Sequence, residues 1–356
     1  MTGTVASFGY GGVSLQQTLN LTSLSQKKDS LQTQASTGVI SDSYAGLGAA
    51  RTQALALQPA ITQVTAWSSN ITTVQNRLTT TQSVLSQIST IAGDLNETLS
   101  TLAGSVSAST IGTAAQQAKT ALTSLGNLLN TQQGDSYIFS GLQSSEAPVS
   151  GDPGNSGLAS SIADAVKQMG TDGASSVLSS TLTLAGITSD NQPFSASLST
   201  DPATASAQNL QIVTGKNETA TAGIVATQGG ASSESSTGSP IRDLMRNLMV
   251  VASLGSADPG DADYTQLIQG LQDTNTAAID GLSDMSGALG VQQNTLTSQS
   301  AMLEQMKSAL ITQLGTTKNA DLAQVSVQLN DTSNQLQASY SIIADMKGMT
   351  LASGGF

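Results

Sequence analysis

From Leu57 to Leu102 an apolar pair recurs every seven residues: Leu57/Ala60, Val64/Trp67, Ile71/Val74, Leu78/Thr81, Leu85/Ile88, Ala92/Leu95 and Leu99/Leu102, with Thr81 the single polar member. An average period of 3.5 residues keeps one seam of a helix against a partner and imposes a left-handed supercoil. A single buried helix has no reason to hold so strict a register for so long. At 1.5 Å per residue the stretch is roughly 70 Å of helix, which predicts a rod rather than a globule.

The same spacing returns on both sides. Ile111, Ala115, Ala118, Leu122, Leu125 and Leu129 alternate in steps of four and three. Towards the C-terminus the alternation runs through Tyr264, Ile268, Leu271, Ala278, Leu282, Met285, Leu289, Leu296, Leu303, Met306 and Leu310. Asn275, Gln292 and Gln299 interrupt this seam, either as buried amides that fix register at a cost in stability or as members of a wetter edge. A last helix carries Leu322, Val325, Leu329, Leu336, Tyr340 and Ile343, and the N-terminal segment a shorter seam of Leu21, Leu24, Lys28, Leu31 and Ala35, from which Lys28 snorkels. So narrow an N-terminal stripe needs a partner, and the C-terminal helix is the obvious one. Leu57, Val64, Trp67, Ile71, Val74, Leu78, Leu85, Ile88, Leu95, Leu99, Leu289, Leu296 and Leu303 are the expected rod core. Leu21, Leu24, Leu31, Leu322, Val325, Leu329, Leu336, Tyr340 and Ile343 line the two terminal seams.

Proline divides the chain. All but Pro59 fall between Pro148 and Pro259, which leaves both flanks free to form long helices. The interior is rich in Gly, Ser, Thr and Asp, with β-like runs at Thr181–Ile187, Phe194–Leu198 and Leu210–Val213 and a short helix over Leu158–Met169. Ser239-Pro240 starts another helix, with Ser as N-cap, Pro in the first turn, Ile241, Leu244, Leu248 and Val251 on one face, and Met245 and Met249 in the core. The reading is mainly α: a long antiparallel coiled-coil rod built from the two flanks, with a small α/β or β-rich insert between them. Its parts are an N-terminal segment (1–45); two rod segments (46–139 and 241–314); the outer insert (140–240); and a C-terminal helix (315–356).

Composition removes most chemistry. Aromatic residues are 3% and charged residues 10% of the chain, the latter against about 25% in ordinary domains. With no His and no Cys, triads, thiolates and the usual zinc sites are excluded, and no catalytic residue, cofactor or metal is expected. Asp258, Asp261 and Asp263 around Gly260 lack the full calcium-loop pattern and read as a solvated turn before a helix. The glycine run at Gly9–Gly12 has no phosphate-binding lysine and reads as a flexible arm. Asn70-Ile71-Thr72 is a glycosylation triplet, but it lies in a helix. A net charge of −12, with 24 acidic and 12 basic residues, argues against nucleic acid. No apolar run approaches the length of a membrane span, the best being Leu248–Leu254. Met1 to Ser7 lacks the basic and apolar parts of a cleaved signal peptide, so export, if it occurs, uses another route.

Leu31-Gln32-Thr33-Gln34-Ala35-Ser36-Thr37-Gly38, followed by Ser41-Asp42-Ser43-Tyr44-Ala45-Gly46, is similar to the N-terminal signature of the bacterial flagellin family, which the sequence resembles. Gly287-Ala288-Leu289-Gly290-Val291-Gln292-Gln293-Asn294-Thr295-Leu296 resembles the start of its C-terminal rod helix. Asp321-Leu322-Ala323, Leu329 and Leu336-Gln337-Ala338-Ser339-Tyr340 resemble its terminal helix. Gly134-Asp135-Ser136-Tyr137-Ile138-Phe139-Ser140-Gly141 with Ala147-Pro148 is most like the members that join hook to filament. Two positions depart from filament members: Asp42 stands alone where they show paired acids, and Thr295 stands where they carry Arg.

The resemblance implies an extracellular structural subunit of the flagellum, not an enzyme, secreted unfolded through the flagellar export apparatus. Segment 1–45, disordered in the monomer and helical once assembled, and the helix over 315–356 would then be assembly segments, with Leu21, Leu24, Leu31, Leu322, Val325, Leu329, Leu336, Tyr340 and Ile343 as the subunit interface. It implies partners among its own copies and neighbouring subunits (hook-associated protein, hook or filament flagellin) and an export chaperone, without nucleic acid or membrane insertion. A filament-forming flagellin is the second reading. A coiled-coil adhesin or secretion-system tip protein is the distant one.

Overall fold

The computed structural model describes residues 7–104, 107–186, 191–256 and 262–353. Met1–Ala6, Ile187, Asp258 and Asp261, all named above, lie outside them. Helix α1 spans Ser7–Thr37 and α2 Arg51–Gly104, with a 3₁₀ segment at Tyr44–Ala50 between them. Next come α3 (Ala108–Leu129) and a small hairpin, β1 (Gln132–Gln133) with β2 (Ser136–Tyr137). The insert contributes α4 (Gly157–Lys167), α5 (Met169–Asp172), α6 (Ala174–Gly186) and α7 (Pro202–Ser206). A second antiparallel hairpin follows, β3 (Gln211–Gly215) with β4 (Glu218–Thr221). The chain continues through α8 (Pro240–Ser253), α9 (Ala262–Lys318) and α10 (Leu322–Ser353). The protein is mainly helical: long N- and C-terminal helices pack together, and a small middle insert holds the short strands. No helix among the described residues is long and apolar enough to cross a membrane.

The chain divides into two units, one built from residues up to Thr65 and from Glu304 on, the other from Ala66–Leu303; α2 and α9 contribute to both. In the first unit α1 lies along α10. Gly38, at φ 73°, ends α1 in the left-handed conformation that L side chains resist, and its N–H returns to the Gln34 carbonyl at 2.9 Å. The chain then pairs antiparallel with the break between α9 and α10: Ile40 N–H donates to Lys318 O (2.7 Å) and Ala320 N–H to Gly38 O (2.9 Å). Asp321 caps α10, accepting from the Ala323 and Gln324 amides. The Lys318 ammonium sits 4.8 Å from the centre of the Tyr44 ring.

In the second unit α2 and α9 run antiparallel, since hydrogen-bond partners rise along one helix as they fall along the other. Gln75 meets Thr297, Gln82 meets Ser286, Ala92 meets Asn275 and Ser100 meets Gln272. Leu78, Leu85, Ala92 and Leu99 of α2 are sealed against solvent, and so is the polar member Thr81, whose hydroxyl donates to the Arg77 carbonyl one turn back. Helix α8 is the centre of this unit: every residue from Ile241 to Val251 is buried, against α3, α4 and α6. Met245 and Met249 are among them.

Several sequence expectations are corrected here. Thr181–Gly186 belongs to helix α6, not to a strand; the Thr-Leu alternation suggests period two, but Ala174, Val177, Thr181 and Ala185 are buried at helical spacing. Phe194–Leu198 supplies only a single bridge, Phe194 to Val149. Ser239 holds the N-cap position of α8 without a capping bond; the Asp243 carboxylate reaches back instead and accepts from the Thr237 amide and hydroxyl at 2.9 and 2.7 Å. On α9 the seam steps by four after Leu303, so Lys307 and Leu310 are half-buried and Met306 faces out. Leu210–Val213 overlaps β3, and α4 falls where a short helix is expected.

Candidate assembly surfaces

A coiled-coil seam uses only two positions in seven, so whatever else is apolar on such a helix is left facing outward. On α1 the seam is Gln17, Leu21, Leu24, Lys28 and Leu31, of which Leu31 is buried and the others half-buried. On α10 it is Val325, Leu329, Thr332, Leu336, Ser339 and Ile343, with Val325, Thr332 and Leu336 buried. The residues expected at a subunit interface therefore separate by environment. Leu21, Leu24, Leu31, Val325, Leu329, Leu336 and Ile343 are buried or half-buried, whereas Leu322 and Tyr340 (58% exposed) face outward.

The outward set also contains residues that the seam pattern passes over. Leu15 and Leu19 are 64% and 57% exposed on α1, and Val327 and Ile342 are exposed on α10. The i, i+4 spacing of Leu15 and Leu19 is a sequence signal for a second apolar face. All the residues expected in the rod core are buried except Trp67, which is half-buried.

The three amides that interrupt the α9 seam have different environments. Asn275 is fully buried and donates from Nδ2 to the Ala92 carbonyl on α2 at 2.9 Å, while its Oδ1 has no partner. Gln292 and Gln299 turn to the β3–β4 hairpin, donating to the Thr221 carbonyl and the Glu218 carboxylate. Asn70 of α2 donates to the Val213 carbonyl of the same hairpin at 2.7 Å. Side-chain amides thus occupy main-chain acceptors of both strands of a two-stranded sheet that would otherwise offer them to another chain.

Buried arginines tie the insert to the helices, a feature that the apolar pattern does not reveal. Arg77 donates to the Tyr137 and Ile138 carbonyls at 2.8 and 3.2 Å. Arg242 donates to Leu198 O and Thr200 O at 2.8 and 2.7 Å, with Phe194 against its guanidinium. Arg246 donates to Leu178 O, Thr181 Oγ1 and Asn247 Oδ1. Desolvation pushes both Arg242 and Arg246 down to about 10, partly offset by Asp243 and, for Arg242, Asp201. At neutral pH these are still cations, held by carbonyl and hydroxyl oxygens. Among the described residues no cluster of three or more carboxylates is arranged to hold a metal.

Residues 11–144 match the model of the bacterial flagellin N-terminal helical region. That stretch is similar to a flagellin N-terminal region. No curated protein matches the chain. The matched region takes in most of α1, all of α2 and α3, and the β1–β2 hairpin, and it stops where the chain enters the insert. At that exit Gly134 and Gly141 both have positive φ, and a Cβ on Gly141 would lie 2.6 Å from the Gln208 carbonyl oxygen. Ile138 and Phe139 between them are buried, and Asn130 pairs with both the N–H and the C=O of Val149.

Proposed function

We propose that this chain is a flagellin-type structural subunit that is exported and self-assembles, and that it joins hook to filament. The observation that carries the assembly reading is the pairing of α1 with α10 while Leu15, Leu19, Val327, Tyr340 and Ile342 remain exposed. Apolar residues left in water on two paired helices lower the free energy when a neighbour covers them. The junction role rests on the run Gly134–Gly141 with Ala147-Pro148, which resembles junction members, and on Asp42 and Thr295, which depart from filament members. In this reading segments 1–45 and 315–356 order on docking, 46–139 and 241–314 form the lasting helical frame, and the insert over 140–240 faces outward. Hook-associated protein, hook and filament flagellin are the neighbours, and an export chaperone keeps the terminal segments apart before delivery.

Electron microscopy of the purified chain under polymerising conditions, with and without hook fragments, tests the proposal. Binding confined to hook ends is the expected result. Long filaments from the protein alone would make it a filament flagellin. Absence of both, at concentrations where flagellins polymerise, would sink the assembly reading.

A further inference from the structure

Helices α2 and α3 leave between them an open groove of about 810 Å³. Its floor is apolar, with Ile91, Leu95 and Leu102 from α2, Ala118 from α3 and Leu248 from α8. On its rim stand Asp94 and Glu97, three residues apart and so on one face of α2, both exposed and in no ion pair among the described residues. The groove therefore asks for an apolar knob with a cation beside it.

The chain carries such a knob. Arg77, Arg242 and Arg246 are buried, whereas Arg51 is exposed and pairs with no carboxylate among the described residues. Arg51 opens α2 directly after the kink at Gly48, where φ is 56°. Leu55, one turn on, is 44% exposed. Residues four apart on a helix share a face, so the guanidinium and the isobutyl group project together.

We propose that Arg51 and Leu55 of one copy dock into the α2–α3 groove of a second copy, the guanidinium on Asp94 and Glu97 and Leu55 on the apolar floor; this rests on the assembly reading above. A planar guanidinium meets carboxylates through paired hydrogen bonds that an ammonium cannot match. The two patches are different surfaces, so the contact is heterologous. Each copy that receives an arginine keeps its own arginine to offer, and the contact propagates as a ring or a helical polymer instead of stopping at a pair.

The chain has no cysteine, which makes a cross-linking test clean. Leu55→Cys is mixed with Thr98→Cys, a position lining the groove, and oxidised mildly; Leu142→Cys on the exposed loop of the insert replaces Thr98→Cys as control. Each variant is first checked for an unchanged thermal melt. The expected result is a covalent heterodimer forming about tenfold faster than with the control. Adding Arg51→Glu to the first partner slows it by about tenfold, and Asp94→Lys with Glu97→Lys in the second restores most of the rate, as complementary charge should. Cross-linking no faster than the control, or charge reversal without restoration, overturns the contact. Filaments without the cross-link would refute this contact and leave assembly standing; absence of both would refute both.

Discussion

Three side chains in the second unit show how burial and protonation are coupled. Tyr264 is almost fully enclosed at the start of α9, its hydroxyl has no partner, and desolvation pushes its pKa from 10.0 up to about 12. The unfolded chain thus releases this proton first. Between pH 10 and 12 the folded state binds more protons than the unfolded state, and Tyr264 makes stability fall as pH rises through that window. Arg242 and Arg246, lowered to about 10, act in the opposite sense there, because it is the unfolded state that keeps its protons longer. Tyr264→Phe isolates the first effect. Removing an unsatisfied buried hydroxyl should leave stability unchanged or raise it by about 1 kcal/mol at pH 7, and urea melts should show the advantage widening above pH 10. A variant less stable than the parent at pH 7 would mean that the hydroxyl has a partner.

At the scale of elements, the antiparallel α2–α9 pair is set by its seam and by Asn275. An amide inside an apolar seam costs stability and penalises shifted registers, because the alternatives leave it without its acceptor. Asn275→Leu should raise stability by about 1–2 kcal/mol while admitting a second register one heptad away, visible as a second distance between spin labels on α2 and α9. A single distance together with a loss of stability would reverse that assignment. The helices of this pair were legible in sequence because their partners are one another, so that seven-residue periodicity maps directly onto burial. The insert was less legible. α6 alternates Thr and Leu like a strand, and only packing against α4 and α8 makes it a helix. The apolar pattern of α8 gives no place to Arg242 and Arg246, which are enclosed with the rest of the helix, their guanidinium groups donating to the Leu178, Leu198 and Thr200 carbonyls. The outward-facing Leu15, Leu19, Val327 and Ile342 lay outside the seam template, and no isolated-helix argument says which off-seam residues a neighbour will cover.

For the molecule as an assembling subunit, the α1–α10 contact is the decisive one. Leu336 is buried in that seam, so Leu336→Asp should place a carboxylate where none can be solvated and cost several kcal/mol of pairing. The expected outcome is a chain that no longer assembles, by sedimentation or microscopy, while the unit formed by Ala66–Leu303 keeps its cooperative melt. Normal assembly of this variant would show that the terminal pairing is dispensable.

The antiparallel seam also sets a clock. Gln75 meets Thr297, Gln82 meets Ser286 and Ala92 meets Asn275, separations of 222, 204 and 183 residues. A chain that emerges N-terminus first must therefore hold its first long helix unmatched until most of the sequence has appeared, and closing loops of that length is slow. A half-made or half-delivered molecule has no finished surface to offer. Completeness of the chain is checked by its own topology before any neighbour is met.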